Sequence, residues 1–256
     1  MKHPLRTLLL AVCCGLAAAC TQRQERLKLM SYNIRNGIGI DNIQDIGRIA
    51  RVILREAPDL VALQELDSAT LRVDGRYIPG ELGRMTGMHA TFGRAIGFAG
   101  GSYGIGLLSR TEPLAVRSIP LPGREEARVL LMAEFPDYTV CITHLSLTPE
   151  DRLASLPIIR EATDTCRKPV LLAGDFNTGN AAAVLAGLGG FRILSDTTRM
   201  TFPSDNPAVR IDYILGRGLP TSATVAESAV DHTATASDHC PLWVTLVWKR
   251  GKQPGK

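Results

Sequence analysis

Acids, amides and histidines recur in this 256-residue chain at one kind of place, the edge of a short apolar run. Ser31-Tyr32-Asn33, Gln64-Glu65, Thr143-His144-Leu145, Gly174-Asp175-Phe176-Asn177, Arg210-Ile211-Asp212-Tyr213 and Ser237-Asp238-His239 all read as polar residues closing a strand. Taken singly, each has a plainer explanation: Asn33 can cap a turn, Glu65 can be a surface acid, and Asp175 with Asn177 can form an Asx-turn. Six such strand ends together point elsewhere. Strand termini in one sandwich can converge, and gathered carboxylates repel one another unless a cation sits among them. Oxygen donors from Asn, Glu and Asp, with no cysteine pair, favour Mg²⁺ or Mn²⁺. Zinc is disfavoured because neither a His-x₃-His nor a Cys-x₂-Cys spacing occurs.

Strands more than helices must position these residues. Residues 27–34 alternate as a strand, which a glycine turn at Asn36-Gly37-Ile38-Gly39 ends, so Asn33 falls near its exit. Ile43, Ile46, Ile49, Ala50, Ile53 and Leu54 then recur at helical spacing, with Asp41 or Asn42 as expected N-cap and Ala57-Pro58 closing the segment. Residues 60–63 make a buried strand delivering Gln64 and Glu65. Further strands are expected over 104–108, 114–119, 129–135, 139–144, 170–173, 211–215 and 242–247, and a helix over 150–165 in which Pro157 predicts a kink or interruption. Several strands are joined by short turns and two long helices connect others, which fits a mixed α/β sandwich better than a purely parallel sheet. No internal repeat, low-complexity segment or interdomain linker is visible, so residues 27–249 are expected to form one catalytic domain.

The two ends read differently from this body. A short basic head precedes an apolar run, 8–19, that is too short to cross the roughly 30 Å hydrocarbon core as a helix. Residues 1–19 therefore read as a signal peptide. The run closes on Leu16-Ala17-Ala18-Ala19-Cys20, resembling the processing site of bacterial lipoproteins, although Ala17 stands where Leu is commonest. A lipid-anchored Cys20 on a bacterial envelope membrane is the expectation, with cleavage after Ala19 and a periplasmic or secreted protein as the alternative. Residues 20–26 are expected to be a linker and 250–256 a solvated basic tail.

The formal charge of +4 comes from these ends. Lys2 and Arg6, with Lys249, Arg250, Lys252 and Lys256, carry six positive charges, and removing them from +4 leaves the body at −2. A basic face for nucleic acid is thus not indicated. With Cys13 and Cys14 in the leader and Cys20 as anchor, Cys141, Cys166 and Cys240 remain, an odd number that makes no disulfide framework.

The ordered set Ser31-Tyr32-Asn33-Ile34, Pro58-Asp59-Leu60-Val61-Ala62-Leu63-Gln64-Glu65, Tyr103-Gly104-Ile105-Gly106, Thr143-His144-Leu145, Gly174-Asp175-Phe176-Asn177, Ile211-Asp212-Tyr213 and Ser237-Asp238-His239 resembles the endonuclease/exonuclease/phosphatase superfamily. The resemblance runs from about Leu27 to Trp248. Gly174-Asp175-Phe176-Asn177 and Ser237-Asp238-His239 are its most specific pieces. It implies two mixed β-sheets packed face to face with helices outside, a four-layer α/β sandwich like that of deoxyribonuclease I, and hydrolysis of a phosphate ester by an activated water.

The resemblance also implies roles. Glu65 resembles the principal metal ligand, with Asn33 beside it and Asp238 as a further acid near the ion. His239 would be the general base or the imidazole that orients phosphate, and Asp212 the carboxylate that orients His239. Asp175 competes with His239 to position the attacking water. Asn177 would donate its amide to the developing charge on phosphorus, and His144 would face a phosphate oxygen or the leaving group. Tyr103 and Arg128 are weaker substrate candidates; a core phenol and, for Arg128 with Glu126, a surface ion pair explain them as well. His89 reads as structural, and His232 lies in a polar loop.

Substrate choice lives in loops, which are short here. Aromatic residues are 5% of the chain, so duplex DNA is disfavoured. A lipid headgroup, an inositol phosphate or another small phosphoester outside the cytosol is expected, handled by a monomer. A secreted nuclease is the alternative, and a non-catalytic phosphoester-binding protein is a second one.

Overall fold

The structure is a computed structural model and describes residues 24–249. The expected signal peptide, Cys20 and residues 250–256 lie outside the described residues.

Among the described residues, twelve strands form two six-stranded sheets. The first contains β1 (Gln24–Asn33), β2 (Leu60–Ser68), β3 (His89–Phe98), β4 (Gly101–Ser109), β11 (Thr224–Val230) and β12 (Leu242–Lys249), in the order β11-β12-β1-β2-β4-β3. The second contains β5 (Ala115–Leu121), β6 (Arg128–Glu134), β7 (Thr139–His144), β8 (Val170–Asp175), β9 (Arg192–Ile193) and β10 (Asp212–Arg217), in the order β5-β6-β7-β8-β10-β9. Only β1 with β2 and β7 with β8 run parallel; the other pairs are antiparallel, so both sheets are mixed.

Period-two alternation sorts the side chains into layers. In β1, Leu27 and Leu29 join Leu131, Ile142 and Ala173 of the second sheet between the sheets, while Met30 and Tyr32 face outward. There they meet Ile46, Ile49 and Ile53 of α1 (Ile46–Glu56) and Ile78 and Leu82 of α2 (Ile78–Thr86). On the other face Cys141 and Leu172 pack against Leu156 and Ile159 of α3 (Pro149–Asp164) and Val184 and Leu188 of α4 (Ala181–Leu188). The result is the four-layer α/β sandwich, with two helices on each outer face.

Several sequence expectations need correction. The cap of α1 is Asp45, which accepts from the Arg48 amide, whereas Asp41 binds the Ile43 amide and the Arg48 guanidinium one turn ahead of the helix. Pro157 does not interrupt α3. The carbonyl of Leu153, which Pro157 cannot satisfy, belongs to an exposed residue, where solvent can take the place of the lost bond. Finally, Asp212 opens its strand instead of closing it, and Asp238-His239 precede β12. Antiparallel strands bring their N-terminal ends to the edge where parallel neighbours bring their C-terminal ends, so all six motifs still reach one end of the sandwich.

β1 also begins at Gln24, so Gln24, Glu25 and Arg26 are paired with β12 where a linker was expected. Helices α2 and α4 and strands β3, β9 and β11 were not foreseen. β3 and β11 are sheet edges built largely of small and polar residues, where the alternation that marks a half-buried strand is weak. His89 starts β3, exposed, just after Gly87 closes α2 in the left-handed conformation.

Candidate active site

Six strands deliver polar side chains to one end of the two sheets. β1 ends in Asn33, 1% exposed, whose Nδ2 donates to Glu65 Oε1 at 3.0 Å and to Asp175 Oδ2 at 3.1 Å, while its Oδ1 accepts from the Arg35 amide at 3.1 Å. Asn33 therefore joins the two sheets. Glu65 sits at a register break between Leu63 and Leu66, with φ of 59°. A bulge turns its side chain toward the strand ends, and a non-glycine residue held in the left-handed region costs on the order of 1–3 kcal/mol, as happens where geometry serves a site.

From the second sheet, β8 ends in Asp175, 1% exposed, whose Oδ1 accepts from the Asn177 amide at 2.8 Å. Asn177 adopts φ of 51°, which asparagine tolerates, and its own Nδ2 donates to the Leu145 carbonyl at 2.8 Å. Asp212 pairs in register with Asp175 across β10 and β8. His144, at the end of β7, brings Nε2 to 3.6 Å from Asp175 Oδ2.

His239 enters from the loop before β12. Its Nδ1 lies 3.0 Å from Asp212 Oδ2, and its Nε2 lies 3.5 Å from Asn33 Nδ2 and 3.7 Å from Asp175 Oδ2. Ser237 ties the loop down by donating from Oγ to the Asn33 carbonyl at 2.7 Å, and Phe202 covers the His239 ring at 4.7 Å between centroids. Asp238, the neighbour of His239, is more open and faces Arg35 Nε at 3.5 Å.

The electrostatics follow from this packing. Burial alone would lower the His239 pKa, but the charges of Asp212, Asp175 and Asp238, with the Asp212 hydrogen bond, overcome it and push it up to about 10. The ring is an imidazolium at neutral pH. Asp175 is raised above the usual carboxylate range, first by burial and then by the Asp212 charge, against His239 and the amides of Asn177 and Asn33. His144 is driven well below the ordinary histidine value by burial, Arg128 and His239, so it is neutral.

Tyr103 and Arg128 reach the same end through β4 and β6. With Glu126 and His144 they line one small cavity. Arg128 is not in a surface pair: its side chain is 6% exposed and meets Glu126 Oε1 at 3.0 Å and Glu125 Oε1 at 3.6 Å. Tyr103 is held as a neutral phenol by burial and by Glu65 and Glu126. Glu125 binds Ser146 Oγ, the Leu147 amide and Thr148 Oγ1, fixing the loop that follows His144. His232 is exposed and contacts the Met200 carbonyl at 3.0 Å.

Sequence reading singled out neither Arg35, Ser237, Phe202 nor Glu125 as individual site residues. Arg35 and Ser237 lie two positions from Asn33 and His239, a proximity that was available as a signal. Phe202 comes from a loop with no pattern of its own.

The donors suit a hard divalent cation. Glu65, Asp175, Asp212 and Asp238 with the Asn33 amide supply oxygens around one imidazolium and one guanidinium, so negative charge is in excess. Asp212 Oδ1 is buried without a hydrogen-bond partner among the described residues. Ligand atoms of Asp175, Asp212 and His239 lie within 4.8 Å of one another, with the Asp212–His239 hydrogen bond occupying one carboxylate oxygen and one ring nitrogen of the group. Glu65, half-buried with Asn33 its hydrogen-bond partner, is the freer carboxylate.

The model of the Endonuclease/Exonuclease/phosphatase family matches residues 30–239. Among solved structures, an endonuclease/exonuclease/phosphatase from Beutenbergia cavernae is 24% identical with a TM-score of 0.68, covering 88% of this chain and 72% of its own. One from Bacteroides vulgatus gives 19% and 0.71, covering 88% and 100%. The mannosyl-6-phosphatase Bt3783 of Bacteroides thetaiotaomicron gives 19% and 0.69, covering 87% and 100%. These likenesses show the shared fold. A comparison with curated proteins found no match.

Proposed function

The chain belongs to the endonuclease/exonuclease/phosphatase family, and we propose that it is a divalent-metal-dependent hydrolase of a small phosphate ester outside the cytosol. The observation that carries this reading is the buried Asp212–His239 pair set beside Asp175, Asn33 and Glu65. The ester bond is broken by water, which needs a proton acceptor, and by charge stabilisation at phosphorus.

His239, held protonated by Asp212, donates from Nε2 to a non-bridging phosphoryl oxygen. Asp175 takes the proton of the attacking water, which its raised affinity for protons suits it to do at neutral pH. As the water oxygen bonds to phosphorus, the bond to the leaving oxygen breaks. Asn177 has a second amide hydrogen beyond the one given to Leu145, and it donates to the charge that builds up. Neutral His144 offers a hydrogen bond to a phosphate oxygen or the leaving group, and Tyr103 and Arg128 bound that side. Glu65, Asn33 and Asp238 would hold Mg²⁺, or Mn²⁺ in its place; when bound, such a cation neutralises charge on the phosphoryl and leaving oxygens.

Candidate substrates are sugar phosphates, inositol phosphates and lipid headgroups. The near-neutral body supports a small ester over duplex DNA, and one neighbour of the same fold is a mannosyl-6-phosphatase. The test is hydrolysis of p-nitrophenyl phosphate, bis-p-nitrophenyl phosphate, a phosphoinositide and plasmid DNA with Mg²⁺ and with EDTA. Metal-dependent turnover highest on a small ester supports the reading; turnover confined to DNA replaces it with a nuclease.

A further inference from the structure

Arg72 stands beside the candidate site and takes no part in the chemistry proposed above. It lies in the short 3₁₀ turn Leu71–Val73 that follows β2. The turn is tied to the β3–β4 hairpin, because the Leu71 amide donates to the Ala99 carbonyl at 2.8 Å. In the ladder between β2 and β4, Asp67 pairs with Tyr103, and Asp67 is about 7 Å along the strand from Glu65. Arg72 folds back over this pair.

The guanidinium is held along one edge and against two rings. Nε donates to Asp67 Oδ2 at 2.7 Å and Nη2 to Asn36 Oδ1 at 2.7 Å, while Cζ lies 4.5 Å from the ring centre of Phe98 and 5.1 Å from that of Tyr103. A guanidinium carries five N–H donors. Asp67 and Asn36 accept two of them, and the rest, both hydrogens of Nη1 included, have no acceptor among the described residues. The Arg72 side chain is 36% exposed, so these donors are open to a ligand. Burial raises the pKa of the Tyr103 phenol and of Glu126, and the charges of Arg128 and Arg72 oppose it in each. Arg72 is thus within electrostatic reach of groups that bound the site.

An arginine needed only to neutralise Asp67 could do so with a two-pronged contact on the carboxylate. Here one prong goes to Asp67 and the other to Asn36, which leaves the buried Asp67 Oδ1 without a partner among the described residues. A guanidinium so held loses little freedom when it meets a further acceptor, and the acceptor it fits best is a phosphate or a carboxylate. We propose that Arg72 is a specificity residue of the candidate site, binding a second anionic group, a phosphate or a carboxylate, that the substrate carries apart from the phosphate that is hydrolysed. This assignment rests on the hydrolase reading and narrows its small ester to one with two anionic groups.

Selectivity tests it. With Mg²⁺, kcat/KM is measured for fructose 1,6-bisphosphate against fructose 6-phosphate and for 3-phosphoglycerate against glycerol 3-phosphate, so that one pair adds a phosphate and the other a carboxylate. The wild type should favour the doubly anionic member of at least one pair by about 10–100-fold, the scale of a charged hydrogen bond, and the favoured pair identifies the group that Arg72 meets. Arg72→Gln should remove the preference, and Arg72→Lys, which keeps the charge and loses the planar fork, should keep part of it. Because Arg72→Gln leaves Asp67 buried and unpaired, Asp67→Asn/Arg72→Gln is measured beside it. A merely structural Arg72 would slow both members of a pair alike. The same four ligands are also titrated by calorimetry in EDTA, where binding is read without turnover. Absence of turnover on all four counts against the hydrolase reading, while tighter binding of a doubly anionic ligand by the wild type and not by the variants still supports the role of Arg72. Equal values within both pairs for the wild type, or a preference that survives in Arg72→Gln and in the double variant, overturns it.

Discussion

The carboxylate of Asp212 and the imidazole of His239 meet at 3.0 Å, Oδ2 to Nδ1, with both side chains buried. This contact fixes the ring, fills its Nδ1 and leaves Nε2 for the substrate. Removing the carboxylate by Asp212→Asn should lower kcat by about 10²–10⁴-fold with a smaller change in KM, the scale expected when a proton-transferring group loses its partner. Steady-state kinetics beside a thermal melt separates this from unfolding. A near-normal kcat would remove Asp212 from the mechanism.

The same pair makes metal-free stability depend on pH. The folded pKa of His239, about 10, lies above its unfolded value of 6.5, so the stabilisation is fully present below about 6.5 and is lost as pH rises through about 10. The raised pKa of Asp175 acts in the same sense, since a group that binds its proton more tightly when folded loses stability with rising pH. Urea unfolding in EDTA should therefore show the wild-type advantage over His239→Gln shrinking between pH 6.5 and 10. A growing advantage would contradict the assignment.

Glu65 should be the side chain whose loss is felt through the metal. In Glu65→Gln one carboxylate charge goes while the contact with Asn33 can be kept, so Mg²⁺ binding by calorimetry should weaken and kcat should fall at least about 100-fold. Partial recovery at raised Mg²⁺ is expected. Unchanged metal affinity would move the ion elsewhere in the cluster.

The loop after His144 depends on one acid. The Glu125 pKa is lowered to about 2, because hydrogen bonds from Ser146, Leu147 and Thr148 outweigh the opposing effect of burial. Glu125→Ala should cost about 1–2 kcal/mol, a value reduced for its partial exposure, and should raise KM through a looser His144 loop. Chemical denaturation with substrate titration checks both.

Gly174 tests the backbone beneath Asp175. A Cβ there would sit 2.0 Å from the Thr143 carbonyl oxygen across the β7–β8 pair. Neither backbone can yield without breaking the ladder, so Gly174→Ala should destabilise the fold by several kcal/mol, beyond about 3, and displace Asp175. A soluble variant with wild-type melting would show that the two strands are less tightly joined.

Much of the candidate site was legible because Asn33, Glu65, His144, Asp175 and His239, which the fold brings together, sit at the edges of apolar runs, where chain direction does not matter to the pattern. That same indifference misassigned Asp212 to a strand exit: an apolar run shows its two flanks alike, and only pairing with β8 reveals which comes first. Phe202 over His239 and Arg35 on Asp238 bring together residues far apart in the chain, with no periodicity to announce them. A mixed α/β sandwich was readable from the hydrophobic strands and its two-sheet topology only from the family resemblance, whereas edge strands β3 and β11, half solvent-facing, carried too little apolar alternation. The N-cap of α1 was misplaced because Asp41, Asn42 and Asp45 all have capping chemistry, and the choice rests on where the chain turns.

The most direct test of the proposed chemistry is a double-mutant cycle on Mg²⁺-dependent phosphate-ester hydrolysis, with His239→Ala, Asp212→Asn and both together. If the two residues act as one unit, each single change costs at least about 100-fold, the double costs no more than the slower single, and EDTA abolishes turnover in every case. Near-normal hydrolysis by His239→Ala, or fully additive losses, would contradict it.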